Sequence, residues 1–321
     1  MPELPEVETI RRGLEKKIVG LTIKNLQVFY PKGVQFNPEL VEGKKVVGVW
    51  RRAKMLGIDL SLRGEKTTKQ SNSKDRHAES TLRLLRSARN DTEVIAMTLL
   101  FHLKMTGQLI YVASNEQREA RLIGGHPTPD MRGDLPNKST VAVFEFSNGS
   151  KLYFNDQRRF GWIRLNSKFE IRNSKLLQKL GPEPFDPKFT WEILKVNLLK
   201  HKSMPIKVAI MDQSVLSGIG NIYASESLFL AKIDPRRKVN SLSDTEFKKL
   251  YQGIADSLKL AIEKGGSTRA NFVNVDGERG YFLDYANVYG KEGYPCTGCK
   301  GKVEKITQAG RGTYMCPTCQ K

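Results

Sequence analysis

Residues 296–319 read CTGCKGKVEKITQAGRGTYMCPTC and hold all four cysteines of the chain. The cysteines form two C-x2-C pairs with 16 residues between them. This spacing is typical of a four-thiolate zinc site. A pair of disulfides is the alternative, but no secretory signal and no other cysteine supports it. We therefore expect one structural zinc ion, with no open coordination position for catalysis, on Cys296, Cys299, Cys316 and Cys319.

The residues between the cysteine pairs predict a two-stranded hairpin, so that 294–321 form a zinc ribbon. Its tip, Ala309-Gly310-Arg311-Gly312, places one arginine between two flexible glycines. Arg311 is either a solvated tip residue or a contact to a polyanion such as a nucleic-acid phosphate.

Residues 167–265, upstream of the ribbon, show helical periodicity. Ser243 is a plausible N-cap, and Gly265-Gly266 follow the end of the last helix. Residues 266–293 are rich in loop-forming residues and link this helical domain to the ribbon. The predicted helices are Ser174–Leu180, Thr190–Lys200, Ile206–Met211, Ile222–Ala231 and Asp244–Lys264.

Residues 1–166 begin with one helix, Pro5–Ile18, in which Val7, Ile10 and Leu14 recur at helical spacing. Alternating apolar and polar residues then predict an all-β sandwich or barrel. Two stretches, 64–92 and 115–139, lack periodicity and are interpreted as surface insertions between strands. The fold class is therefore α+β and multidomain.

The charge balance restricts the class of partner. The 321 residues include 53 Lys and Arg against 34 Asp and Glu, a formal charge of +19. The N-terminus has no apolar signal region, and the longest apolar run, Val94–Phe101, is too short to span a bilayer. We expect a soluble intracellular protein that does not bind membranes. Its partner is expected to be a polyanion, although a basic surface without a specific partner is the alternative.

Five ordered blocks of this sequence resemble the formamidopyrimidine-DNA glycosylases, bacterial enzymes that excise oxidised purines. The resemblance covers nearly the whole chain except the two insertions. It implies a β-sandwich, a helix–two-turn–helix domain and a zinc ribbon, and a cytoplasmic, nucleoid-associated monomer acting on damaged double-stranded DNA. The blocks are residues 1–9 (MPELPEVET), 102–107 (HLKMTG), 155–161 (NDQRRFG), 212–226 and the ribbon.

The resemblance assigns the chemistry to the start of the chain. If Met1 is removed, Pro2 becomes a secondary amine at the N-terminus. An α-amino group has a pKa near 7.7–8.0, so part of it is unprotonated, and therefore nucleophilic, near neutral pH. It could attack a damaged nucleotide, form a Schiff base and support β and δ elimination; alternatively, Pro2 only protects the N-terminus. The resemblance implies that Glu3 is the general acid/base. Glu6 has a similar implied role or only complements the helix dipole.

Lys54 lies at a break between two predicted strands. The resemblance implies a contact from Lys54 to phosphate and lesion, and a solvated turn lysine is the alternative.

A base that is excised must leave the stack, and side chains must fill the gap. Along an extended strand, Arg158 and Phe160 would share one face while Arg159 points away. Met105 would add a flexible apolar plug, although Met105 and Phe160 could instead be core residues. The resemblance implies that all three enter DNA, together with His102.

The segment Gly218-Ile219-Gly220-Asn221 precedes the predicted helix at Ile222 and suits phosphate binding by backbone amides. Asn221 is expected to cap this helix and, by resemblance, to bind phosphate. Lys202 and Lys207 are either phosphate ligands or solvated surface residues.

Two further inferences depend on the resemblance. Residues 266–281 are similar to a loop that covers the lesion, and Lys104 stands where glycine is common in the family and could add a phosphate contact. Two rival functions remain. One is a glycosylase for oxidised pyrimidines of the endonuclease VIII type, which the PELPE start and Arg158-x-Phe160 disfavour. The other is a zinc-ribbon DNA-binding protein without activity, which Pro2, Glu3 and Lys54 disfavour.

Overall fold

The computed structural model describes residues 1–64, 95–114, 121–125, 134–267 and 282–321. The predicted insertion 64–92 therefore falls almost entirely outside the described residues. Helix α1 covers Leu4–Ile18 and confirms the predicted first helix. It begins after Glu3 as N-cap with Pro5 in the first turn, and its apolar face, Val7, Ile10 and Leu14, is buried.

The sandwich consists of two antiparallel sheets. One has five strands in the spatial order 23–28, 140–146, 151–156, 107–112 and 121–125, and the other has four in the order 44–52, 55–64, 95–102 and 162–167. Their facing sides and α1 enclose one apolar core that includes Phe101, Phe144 and Phe154. The sequence had left open a sandwich or a barrel, and the structure is a sandwich. The strands are Ile23–Val28 (β1), Lys44–Arg52 (β2), Met55–Gly64 (β3), Ile95–His102 (β4), Gly107–Val112 (β5), Arg121–Gly125 (β6), Thr140–Phe146 (β7), Lys151–Asp156 (β8) and Trp162–Ser167 (β9).

The interpretation of 115–139 as an insertion outside the sheet is wrong in part. Within it, β6 pairs antiparallel with β5, with Gln108 opposite Gly125 and Val112 opposite Arg121. An edge strand needs only one neighbour and can be short, so it leaves little periodicity in the sequence.

The predicted helices of the second region are confirmed to within two residues at each end. Ser243 accepts the Glu246 amide, and Glu246 accepts the Ser243 amide, so the predicted cap is present as a capping box. A five-residue helix after Ser167 and a four-residue helix at Phe282 were not predicted, because a single turn leaves no periodicity. The helices are Lys168–Arg172 (α2), Lys175–Gln178 (α3), Trp191–Leu199 (α4), Ile206–Ile210 (α5), Asn221–Ala231 (α6), Asp244–Glu263 (α7) and Phe282–Tyr285 (α8).

The C-terminal hairpin consists of Glu304–Gln308 (β10) and Arg311–Met315 (β11), joined by Ala309-Gly310. The ribbon packs on the end of α6 through an apolar cluster, and the Gln320 side chain donates to the Ile233 carbonyl at 2.8 Å. Among the described residues, no helix combines the length and apolar character needed to cross a bilayer. The apolar cluster between the ribbon and α6 contains Phe229, Val288, Cys296, Val303 and Cys316.

Candidate active site and nucleic-acid interface

The turn between β2 and β3 directs Lys54 into the molecule. Ala53 in this turn has φ 54°, in the left-handed region. The Glu183 carboxylate accepts the Ala53 amide at 2.5 Å and pairs with Arg51 at 2.7 Å. Lys54 Nζ donates to the Ile219 carbonyl at 2.7 Å, and the side chain is buried. Lys54 is therefore not a solvated turn lysine.

Pro2 and Glu3 are buried at the start of α1. The Glu3 carboxylate accepts hydrogen bonds from the amide of Gly220 at 2.6 Å and from that of Ile222 at 3.1 Å. A Cβ on Gly220 would lie 2.4 Å from the Glu3 carboxyl carbon, so glycine is what permits this close approach. Met1 precedes Pro2 in the structure, so the Pro2 nitrogen is part of a peptide bond until Met1 is removed.

The pKa values of Glu3 and Lys54 are both shifted in the direction that favours the neutral form. Burial raises the pKa of Glu3 above its usual value, although the charge of Lys54 acts in the opposite direction. Burial lowers the pKa of Lys54, against the charge of Glu3. A carboxyl whose pKa is raised and an amine whose pKa is lowered exchange protons more readily near neutral pH than the same groups in water, which suits acid and base chemistry.

Glu6 connects the start of α1 to two distant segments. Its carboxylate accepts the Glu3 amide at 2.7 Å, the Tyr223 hydroxyl at 2.6 Å and the Ser267 amide at 2.8 Å. Burial and the charge of Glu6 raise the pKa of Tyr223 well above its usual value, so the hydroxyl remains a donor. Ser267 is the second residue of the segment 266–281 predicted to cover the lesion, of which residues 268–281 lie outside the described residues. Glu6 thus stabilises the helix start and also holds the base of that segment.

The start of α6 differs from the prediction. The helix begins at Asn221 with Gly220 as N-cap, so Asn221 is not the cap. Two amides of this helix start, which the sequence assigned to a phosphate, bind the Glu3 carboxylate instead. The anion at this helix N-terminus is therefore a side chain of the protein.

The Asn221 side chain joins the helical region to the ribbon. Its Nδ2 donates to the Gly312 carbonyl at 3.0 Å, and its Oδ1 accepts Lys207 Nζ at 2.7 Å. Lys207 Nζ also donates to Thr313 Oγ1 at 2.6 Å. Burial lowers the pKa of Lys207 to about 8, and the side chain is 1% exposed. The alternative of a solvated Lys207 is therefore wrong.

Lys202 and Arg311 are both exposed. Lys202 lies in the turn between α4 and α5. It differs in this from Lys207, which is buried and contacts Asn221. Arg311 is the first residue of β11 and not part of the two-residue tip. Burial lowers the pKa of Lys54, and the charge of Arg311 acts in the same direction, so Arg311 lies near the buried lysine.

Two loops at one edge of the sandwich carry Met105, Arg158 and Phe160. Met105 is 40% exposed and Phe160 is 55% exposed, so the core alternative is wrong for both. Residues 157–160 form a turn, not the expected extended strand, and Arg159 has φ 56°. Both Arg158 and Phe160 are nevertheless exposed, and the guanidinium lies 4.9 Å from the ring centroid of Phe160.

Hydrogen bonds hold these two loops together. The Thr106 hydroxyl donates to the Asp156 carboxylate, and the Arg158 amide donates to the Thr106 hydroxyl at 3.0 Å. The Gly161 amide donates to Asp156 at 2.6 Å. Met105 and the 157–160 turn therefore form one unit, which we call the wedge edge.

His102 supports this unit from beneath. Its Nδ1 accepts the Lys104 amide at 3.0 Å, and its ring lies 5.7 Å from that of Trp162. Burial lowers the pKa of His102 to about 3, so the ring is neutral at physiological pH. His102 thus fixes the loop that precedes Met105.

The four cysteine sulfurs all lie within 4.8 Å of one another. Cys296 and Cys319 are 3.7 Å apart, and Cys299 and Cys316 are 3.5 Å apart, so none is disulfide-bonded. Four sulfurs at about 2.3 Å from one zinc ion in a tetrahedron are about 3.8 Å apart, so the cluster fits the metal. The four cysteines form a structural zinc site, and the disulfide alternative is wrong.

Sequence reasoning assigned no role to Glu183 or Gln213. Glu183 holds the turn that precedes Lys54, and Gln213 Nε2 donates to the Ile219 carbonyl at 2.8 Å, the same oxygen that accepts Lys54. The prolines beside Glu183 indicate a stiff segment, but no sequence pattern identifies its partner.

The structure combines the buried Glu3 carboxyl and the buried Lys54 amine with the exposed wedge edge and a zinc ribbon. This combination agrees with the class that the resemblance implies, a DNA-repair glycosylase. Three family models match the chain. The formamidopyrimidine-DNA glycosylase N-terminal domain matches residues 1–163, the helix–two-turn–helix domain of the same enzymes matches 180–272, and the zinc finger found in FPG and IleRS matches 293–321. The chain therefore belongs to the formamidopyrimidine-DNA glycosylase family, whose members are DNA glycosylases of base excision repair.

Individual relatives agree with this assignment. A formamidopyrimidine-DNA glycosylase of Pelotomaculum thermopropionicum is 36% identical, with 100% of this chain and 99% of that protein covered. One of Rickettsia conorii is also 36% identical over the same shares. The structure of Lactococcus lactis Fpg in complex with DNA containing an abasic site superposes with a TM-score of 0.77 at 30% identity, covering 99% of each chain.

Proposed function

We propose that this enzyme removes oxidised purines, 8-oxoguanine and formamidopyrimidines, from duplex DNA and then cleaves the strand. After removal of Met1, the neutral Pro2 nitrogen bonds to C1′ of the damaged nucleotide while the bond from C1′ to the base breaks. The base leaves with the electron pair of that bond and takes up the proton that the Pro2 nitrogen loses. Glu3 donates its proton to the sugar ring oxygen, the ring opens, and a charged iminium remains. The iminium accepts electrons as the 3′ phosphate and then the 5′ phosphate leave by β and δ elimination.

The observation that carries this proposal is the buried Glu3 carboxyl next to Pro2, with its pKa raised by burial. Burial also lowers the pKa of the Met1 amino group, although the charges of Glu3 and Glu6 act in the opposite direction. A Pro2 amine freed nearby would meet a similar environment. Its neutral, nucleophilic fraction would then exceed that of an ordinary N-terminal amine.

The remaining site residues either contact DNA or position the groups that do. The wedge edge fills the gap left by the flipped nucleotide, with Met105 and Phe160 as apolar plugs and Arg158 facing the orphaned base. Glu6 and His102 act by positioning α1 and the Met105 loop. The site is assembled within one chain, which supports action as a monomer. The proposed phosphate ligands are Lys54, Lys202, Asn221 and Arg311.

Borohydride trapping tests the nucleophile. The purified protein, its lack of Met1 established by intact mass, should form a reduced covalent adduct with an 8-oxoguanine·C duplex. Pro2→Gly should abolish the adduct, because the imine of a primary amine is charged only when it is protonated and because the restricting ring is lost. Pro5→Gly is the matched control and should retain trapping. Adduct formation through a lysine in Pro2→Gly would refute the assignment, and faster action on thymine glycol than on 8-oxoguanine would refute the substrate class.

A further inference from the structure

Non-glycine residues with left-handed backbone are concentrated near the proposed DNA contacts. The described residues contain five of them, namely Ala53, Lys104, Arg159, Lys232 and Ala309, with φ between 48° and 60°. This conformation is unfavourable for residues with a Cβ, and such strain collects at functional sites. Three of the five directly precede Lys54, Met105 and Phe160, and a fourth lies two residues before Arg311.

Lys104 is the least expected of these residues, because glycine would adopt its φ of 52° without strain. The turn around it is tightly built: the Gly107 amide donates to the Leu103 carbonyl at 2.8 Å, and His102 accepts the Lys104 amide at 3.0 Å. The turn geometry thus explains the backbone but not the presence of a long cationic side chain.

The charged groups of Lys104 and Lys54 both lie near the His102 ring. Burial lowers the pKa of His102, and the charges of Lys104 and Lys54 both act on it in the same direction. Within the described part of the chain, Lys104 forms no ion pair with a carboxylate. It is half-exposed and directly precedes Met105 of the wedge edge. A half-exposed lysine without a carboxylate partner is available to neutralise a phosphate of a polyanion.

We propose that Lys104 binds a backbone phosphate of duplex DNA beside the wedge edge, and that its strained backbone is retained for this contact. The proposal rests on the proposed function, because it uses the same DNA-binding face. The left-handed turn holds Met105 and the Lys104 ammonium in a fixed relation, so that phosphate binding sets the register in which Met105 enters the duplex.

The test is the salt dependence of binding to an abasic-analogue duplex, which contains no base to excise. Lys104→Gly keeps the turn and removes the charge. We expect the slope of log K against log salt to become shallower by about one unit, the loss of one phosphate contact. The melting temperature should not fall, because glycine relieves the backbone strain. Lys104→Arg should keep the wild-type slope.

Lys232→Gly is the matched control, since Lys232 is a left-handed lysine with φ 60° at the C-cap of α6, where its Nζ lies 4.4 Å from the Phe229 ring centroid. Its slope should equal that of the wild type. An unchanged slope in Lys104→Gly, or an equal loss in Lys104→Arg or Lys232→Gly, would overturn the proposal. Binding is measured without excision, so a failure of the proposed chemistry can be told apart from a failure of this proposal. If only the chemistry is wrong, the wild-type enzyme will not excise the base, but Lys104→Gly will still show the expected decrease in slope.

Discussion

The cluster around Glu3 and the wedge edge, the two regions proposed to act on DNA, differ in their exposure to solvent. The Glu3 cluster is buried, and its polar groups are bonded to one another before any substrate arrives: Glu3 to Gly220, Glu6 to Tyr223 and Lys54 to a carbonyl. The wedge edge exposes Met105 and Phe160 to solvent and relies on left-handed backbone to do so.

This difference separates two tasks. A buried, prearranged cluster shifts pKa values and needs no rearrangement during a reaction, which suits acid and base chemistry. An exposed aromatic ring contributes little to folding and gains its contacts only on binding. Substitutions in the Glu3 cluster should therefore reduce the rate of reaction, whereas substitutions in the wedge edge should reduce affinity.

The largest effect is expected for Glu3→Gln. The amide can still accept one backbone hydrogen bond but cannot donate and take back a proton in the same way, so base excision should fall about 10²–10⁴-fold. Single-turnover excision of 8-oxoguanine measures the rate, and binding of an abasic-analogue duplex should remain close to wild type. Glu15→Gln, at an exposed glutamate of the same helix that pairs with Arg11, is the control and should be fully active. Excision by Glu3→Gln within tenfold of wild type would remove Glu3 from the acid/base role.

A smaller loss is expected for Gly220→Ala. The added Cβ must displace the Glu3 carboxyl, and a displacement of about 1 Å at a catalytic group can reduce the rate about 10²-fold. Gly48→Ala is the matched control, because a Cβ there would meet its nearest atom at 3.9 Å. Single-turnover kinetics of both variants make the comparison. A wild-type rate for Gly220→Ala would show that the position of Glu3 is not tightly constrained.

The smallest of these effects is expected for Phe160→Ala. Stacking of a base on an aromatic ring contributes about 1–3 kcal/mol, so affinity for a lesion duplex should fall about tenfold. The free energy of unfolding should change by less than about 0.5 kcal/mol, because the ring is exposed. Phe169→Ala, at a phenylalanine that is 69% exposed on α2, should alter neither quantity. A clear loss of stability in Phe160→Ala would instead make the ring a structural element and blur the contrast with the Glu3 cluster.

Local patterns in the sequence were sufficient for much of the fold. The cysteine spacing predicted the zinc ribbon, and the periodicity of Val7, Ile10 and Leu14 predicted α1. Ser243 marked the start of α7. These predictions succeed because a turn, a cap or an amphipathic face is specified by residues within a few positions of one another.

The backbone conformation of the wedge edge was not predicted correctly from the sequence. The sequence indicated an extended strand at 157–160, but bonds from Thr106 and Asp156 impose a turn there. The resemblance implied that Arg158 and Phe160 contact DNA, and their exposure is compatible with that proposal.

By itself, the sequence determined the order of the domains and the zinc ligands, and it suggested the residues proposed for the chemistry. Only the tertiary structure decided that the start of α6 binds Glu3, that Asn221 and Lys207 bind the ribbon hairpin, and that Glu183 holds the turn before Lys54. These contacts join residues about a hundred or more positions apart, and their partners are selected by how the sandwich, helices and ribbon pack together. Burial in that packing also shifts the pKa values of Glu3 and Lys54, which no local pattern of residues specifies.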